Sequence, residues 1–265
     1  MQAFFLSLKS EFLKTRKTLG FWSAILLPLV ICGLVFAAVY FKHQGLINKP
    51  PLVIWMQYSM ASLGVMGVLL LPMFVIFTCY SVNSIEHRAD TWKSLFSLPI
   101  PKLTTYSAKY FYTVFLVALC LTLFASFTLL SGNLLGVLVP ELKFNDYSFI
   151  RLLSSVYFKL FLSSLGILSI QFALSLLWAD FLKPMGIGFC VFVVAMIASI
   201  NNWEHAWKIP YAHPMMVISN LKPSNAGPGK ELSIDLLTKE IYLSLAISAV
   251  MFVVGYFVIS RRSVK

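Results

Sequence analysis

The residues of this chain that could do chemistry are few. His205 and His213 flank an aromatic stretch and are the obvious start of a metal site, but no carboxylate or cysteine completes a set at useful spacing. Cys32, Cys79, Cys120 and Cys190 all fall within apolar runs, with neither zinc-like nor redox spacing, and read as small packing residues. A phosphate-cradling loop needs Gly-x4-Gly-Lys-Ser/Thr. The nearest echo is Gly229-Lys230, with Glu231 where the hydroxyl belongs and Ser224 in place of the first glycine. No catalytic residue, metal ligand or cofactor site is therefore expected on this chain. What remains is one polar stretch, Ser81–Lys109, with two of the ten acidic residues, Glu86 and Asp90, and four cations, Arg88, Lys93, Lys102 and Lys109. Its chemistry is recognition. From Glu86 to Leu98 it can form a helix with Trp92, Leu95 and Phe96 on one side and charge on another, stopped by Pro99 and Pro101.

The elements that must hold this stretch are apolar. The 265 residues are 59% hydrophobic and 12% charged, with mean hydropathy +0.83. A soluble domain carries about a quarter charged residues, so lipid must solvate much of the surface. The expected fold class is an all-α polytopic membrane protein, a single transmembrane domain over residues 1–265. The net charge of +11 then reads as cationic anchoring at a membrane face rather than nucleic-acid binding.

In chain order, residues 1–18 place Phe4, Phe5, Leu8 and Phe12 on one helical face beside Lys9, Lys14, Arg16 and Lys17, as in an interfacial helix lying apolar side down. Six spans are expected at about 19–41, 53–82, 110–131, 158–178, 185–200 and 240–260, each sized against a hydrocarbon layer of about 30 Å. Pro72 is expected to kink the second. Arg151 and Lys159 make the start of the fourth apolar run an interfacial approach segment. Lys159 either snorkels to water or serves a function, and Gln171, mid-span, calls for a hydrogen-bonding partner on another helix. The loop 201–237, with Trp203, Trp207 and Tyr211 around Pro210 and Pro214, fits a broken helix dipping into the outer leaflet.

Six spans put both termini on one side. Twelve of the 21 cations fall there, in short segments close to span ends, and eight fall opposite, with Lys159 at a boundary. The positive-inside rule makes the termini and residues 81–109 cytoplasmic in a multi-pass protein of the cell (inner) membrane.

Glu86, four intervening residues, Thr91, then Leu98-Pro99, Lys102 and Ala108-Lys109 resemble the cytoplasmic coupling segment of ABC-2 permeases, the membrane halves of type-2 ABC exporters. Trp92-Lys93 after the threonine and the closing Tyr106-Ser-Ala-Lys109 are similar to the branch associated with lantibiotic immunity and bacitracin resistance. The layout matches along the whole chain, the sharp motif over about thirty residues. Asp90 departs from the usual glycine and Pro101 from the frequent serine. The resemblance implies ATPase-coupling roles for Glu86, Arg88, Thr91, Trp92, Leu95, Phe96, Pro99 and Lys109. It also implies a partner pair of ABC ATPase subunits carrying ATP and Mg, and a second copy of this permease or a homologous one. The bland alternative is an amphipathic loop helix packed on its own protein.

Two function classes stay open. One is a permease expelling an amphiphilic substrate through an apolar cleft, either an antimicrobial peptide such as a lantibiotic or a lipid. The other is an intramembrane enzyme, disfavoured because the spans hold almost no ionisable residue. In the first case, Met66 and Met73 of the second span, Phe189 and Phe192 of the fifth, and Trp203 and Trp207 of the outer loop are the candidate path residues; the phenylalanines can equally serve as helix packing.

Overall fold

In lipid, each backbone N–H and C=O must find its partner within its own segment or its barrel, so long apolar runs fold as helices. A computed structural model describes residues 2–47, 49–89, 100–221 and 234–261. They form α1 (Gln2–Thr15), α2 (Leu19–Phe41), α3 (Pro51–Val65), α4 (Leu71–Ala89), α5 (Lys102–Leu138), α6 (Ile150–Leu177), α7 (Leu182–Ile200), the short α8 (His213–Ser219) and α9 (Lys239–Ser260). A π turn, Met66–Leu70, joins α3 to α4 into one run, and there is no strand among the described residues. That run, together with α2, α5, α6, α7 and α9, makes six helices long and apolar enough to cross a membrane. The chain is an all-α polytopic membrane protein.

The sequence punctuates these helices where its chemistry predicts. Pro51 opens α3 and Pro101 precedes α5, at positions where a missing N–H costs nothing. The irregularity expected as a kink at Pro72 takes another form. Pro72 offers no N–H to the carbonyl of Val68, and Val68 lies inside the π turn, where bonds reach one residue further; the Leu71 N–H donates to Met66 O, five residues back.

Two expected boundaries move. The third span, expected over 110–131, is part of the 37-residue α5, which continues the helix outward at both ends. The fourth is one unbroken helix from Ile150, with no separate approach segment before Phe158. Its two cations need no break in the helix, because Arg151 is exposed near the helix start and Lys159 turns inward.

The central helix is α6, packed against α4, α5, α8 and α9. Its join to α9 is made by serines. Ser244 donates to Leu162 O (2.8 Å) and accepts from the Gly166 N–H (2.9 Å), while Ser169 donates to Ser248 (3.0 Å) and the Tyr110 hydroxyl reaches both (2.7 and 2.9 Å). Small hydroxyls let the backbones approach closely, which matters where lipid is as apolar as any side chain. At the opposite end of α5, the Trp55 ring stacks on Phe149 at 5.5 Å, meets Phe144 edge-on at 4.9 Å and donates to Phe144 O at 2.9 Å. Gly132 faces the rim of that ring, and a Cβ there would collide with it.

Candidate functional site

The polar stretch is gripped at both ends by a buried cluster of four charges. Lys109, at the first third of α5, places Nζ 2.6 Å from Glu86 Oε2, 2.7 Å from Glu11 Oε2 and 3.2 Å from Val82 O, so all three of its protons are used. Lys14 bridges the remaining oxygens, 3.1 Å from Glu11 Oε1 and 3.1 Å from Glu86 Oε1. Lys109, Glu11 and Glu86 are each at most 2% exposed. Burial pulls the Lys14 ammonium down, but the carboxylates of Glu11 and Glu86 outweigh it and hold Lys14 above the ordinary lysine range. Two carboxylates and two ammoniums give a cluster of zero net charge with charge-assisted hydrogen bonds throughout, the condition under which buried ions are tolerable.

This cluster sets the orientation of α1. The face of Glu11 and Thr15 turns toward α4 and α5, where the Thr15 hydroxyl bonds the Tyr112 hydroxyl. Phe4 meets Phe111 edge-on at 6.2 Å, and Phe5 and Leu6 are exposed beyond it. The apolar face expected to lie on lipid is thus partly kept outward, while the polar stripe docks on protein.

Of the eight coupling residues implied by resemblance, Thr91, Trp92, Leu95, Phe96 and Pro99 lie outside the described residues. Arg88 is exposed at the end of α4. Glu86 is inside the protein, not on its surface, and with Lys109 it forms the base of the segment instead of an outward charge pair. The end of α4 is further fixed to α6, where Asn83 Nδ2 donates to the Ser175 hydroxyl (2.7 Å) and His87 Nε2 meets Ser175 O (3.0 Å). At the start of α5, Lys102 Nζ donates to Ser260 O (3.2 Å) near the end of α9, a cation on the carbonyls of a helix C-terminus.

At the opposite face, a cavity of about 490 Å3 opens between α3, α6 and α8. Met56, Met60, Leu63, Leu152 and Val156 supply its apolar wall, and Lys159 and Asp235 also line it. Its roof comes from the proline-broken stretch, which folds as short turns and then α8. Tyr211, His213 and Val217 are buried there. Gln171 Nε2 of α6 donates to the Tyr211 hydroxyl, so its partner is this stretch rather than another spanning helix. His213 Nε2 donates to Trp207 O at 2.8 Å. Burial holds the His213 imidazole below the ordinary histidine range, against the opposing pull of the Trp207 carbonyl and Glu240. His205 is instead at the surface beside Glu204 (3.4 Å).

None of the six candidate path residues lines this cavity. Met66 is fully buried at the π turn and Met73 packs against the core. Phe192 is buried with its ring centroid 6.5 Å from Phe189, which is 49% exposed on the outer surface of α7. Trp203 is exposed, and Trp207 is held by the His213 bond and the Lys208 ammonium 5.8 Å from its ring. The cavity lies between the second and fourth candidate spans, where α8 packs against the π turn and α6. Gly67 makes room there for Ile218.

Sequence reasoning missed Glu11, Lys14 and Glu240. Glu11 did carry a signal, being the only acidic residue before Glu86. Glu240 brings its carboxylate to 3.9 Å from Lys159 Nζ, with both side chains buried, and Lys159 faces the cavity instead of the lipid-side surface.

A family model described as ABC-2 family transporter protein matches residues 7–195. No curated protein and no solved structure matches the chain. The matched region runs from α1 through most of α7 and takes in the four-charge cluster, the segment it encloses and the walls of the cavity on α3 and α6; the chain belongs to the ABC-2 family of transporter proteins.

Proposed function

We propose that this permease is the membrane subunit of an ATP-driven exporter, with ATP hydrolysed on a separate pair of ABC ATPase subunits, and that it expels an amphiphilic antimicrobial peptide of the lantibiotic type. The observation that carries the coupling part is the cluster of Glu11, Lys14, Glu86 and Lys109. A segment that must pass force from a soluble motor needs a rigid base, and here both of its ends are bonded to each other and to α1. Trp92, Leu95 and Phe96 supply the apolar contact with the ATPase, with Thr91, Pro99 and the exposed Arg88 shaping and flanking it. In this reading the termini are cytoplasmic, the membrane is the cell membrane, and a second permease copy or a homologue completes the pathway.

The substrate part rests on the apolar wall that Met56, Met60, Leu63, Leu152 and Val156 give the cavity under α8. Burying apolar surface yields about 25 cal/mol per Å2, a term that an amphiphile gains and a hydrophilic polymer does not. Lipid export is the second reading, favoured by the same walls. The test is growth protection. Cells expressing this chain with its ATPase and any partner permease are challenged with a panel of membrane-active peptides. Tolerance above an ATPase-dead control supports peptide export; no gain for any peptide removes that assignment and leaves lipid.

A further inference from the structure

The cavity beneath α8 holds charges that an apolar export path does not require. Lys159 is 4% exposed, yet its ion-pair partner, Glu240 Oε1, stands at 3.9 Å, beyond hydrogen-bond reach. Glu240 Oε1 is itself buried without a hydrogen bond among the described residues, as is the hydroxyl of Thr238, which lines the same cavity. Buried polar atoms are normally paired, and leaving one unpaired is costly. Two such atoms, with the Lys159 ammonium beside the same opening of ligand size, mark a place suited to a polar group that comes from elsewhere.

Charge and depth narrow the ligand. Lys159 and Asp235 both line the cavity and Glu240 is paired with Lys159, so a purely anionic group would gain one cation and face two carboxylates. A zwitterion satisfies both signs, its anion on Lys159 and its ammonium on Asp235 and the Thr238 hydroxyl. The 22 residues of α9 span about 33 Å, close to the hydrocarbon thickness of about 30 Å. Glu240, at the start of α9, therefore sits at the hydrocarbon boundary, the level of a phospholipid phosphate. Met56, Met60, Leu63, Leu152 and Val156 of the same cavity offer a wall for acyl chains.

We infer that this cavity is a binding site for a zwitterionic aminophospholipid of the leaflet on the α8 face, its phosphate on Lys159 and its amine on Asp235. The site does not depend on peptide export, and its test reads binding rather than transport. The purified full-length chain, delipidated in detergent, is titrated with phosphatidylethanolamine or phosphatidylglycerol, and retained lipid is counted by native mass spectrometry. Phosphatidylethanolamine is expected to bind at least tenfold tighter than phosphatidylglycerol. Lys159→Met and Asp235→Asn are each expected to erase that preference. Asp235 is exposed, so the second variant keeps the test sound if Lys159→Met fails to fold. Free phosphoethanolamine is expected not to displace the lipid at equal concentration, because it lacks the chains. Equal binding of the two lipids, an unchanged preference in Asp235→Asn, or displacement by the free headgroup would overturn the assignment.

Discussion

Glu86 and Lys109 are 23 positions apart in the chain and 2.6 Å apart in space, so the end of α4 and the start of α5 meet at one buried contact. Breaking a buried ion pair from one side leaves an uncompensated charge, which costs about 3–5 kcal/mol. Lys109→Met is therefore expected to lower the thermal midpoint of the detergent-solubilised protein sharply. Glu86→Gln combined with Lys109→Met restores neutrality and is expected to be milder than the sum of the two single changes. A double-mutant cycle on the midpoints measures this, and strict additivity would deny the coupling.

Replacing Trp92 by Ala is expected to weaken recruitment of the ATPase and lower transport while the helices remain inserted. An aromatic anchor in a packed contact is commonly worth about 2 kcal/mol or more, a loss of some thirtyfold in affinity. Co-purification of the ATPase with the permease reads the effect directly.

Single cysteines at Ser97 and Ser224 test the sidedness. An impermeant thiol reagent applied to intact cells is expected to label Ser224→Cys and not Ser97→Cys. External labelling at Ser97→Cys would invert or break the six-span arrangement.

Gly132→Ala puts a methyl group into the rim of the Trp55 ring, which is held between Phe144 and Phe149 and cannot turn aside. Overpacking of this kind costs about 1–3 kcal/mol. Gly33→Ala on α2 meets nothing within 4 Å and is expected to be neutral or slightly stabilising. Thermal midpoints of the two variants should therefore separate, with only Gly132→Ala falling.

The His213 imidazole, depressed below 6.5 by burial, makes the α8 face sensitive to acid. With the folded value below the unfolded one, the unfolded chain binds more protons between the two, so stability rises with pH through that window and is lost as pH falls below about 6.5. The wild-type midpoint is expected to drop between pH 7.5 and 5.5 by more than that of His213→Gln, which keeps an N–H donor and does not titrate. Equal drops would remove His213 as the cause.

The helices were legible because lipid enforces them: runs of apolar residues long enough to span leave no alternative to hydrogen-bonded helix. Their ends were less so. Lys102 to Lys109 carry no helical signal of their own beside the polar stretch, yet they are helical, and Lys109 and Tyr106 point into the protein, where Glu86 and the carbonyl of Phe252 receive them. The grip of Glu11 was hidden for another reason. A sequence pattern shows which faces are apolar, and an acidic residue on an amphipathic helix looks solvated until the cations it meets, 98 residues away in the case of Lys109, are brought beside it. The cavity between α3 and α6 was not legible because the packing of α8 on the π turn depends on Gly67 yielding to Ile218, a steric fit between distant segments that periodicity does not encode.

The four-charge cluster also imposes an order on biogenesis. Glu11 and Lys14 leave the ribosome first and cancel one another; Glu86 follows and tips the balance negative. Neutrality returns only when Lys109 arrives on the third spanning helix. Until then, the carboxylates facing α5 have no cation to bury against and must stay wet. The four charges can be buried as a neutral set only once α5 brings Lys109 beside Glu11 and Glu86.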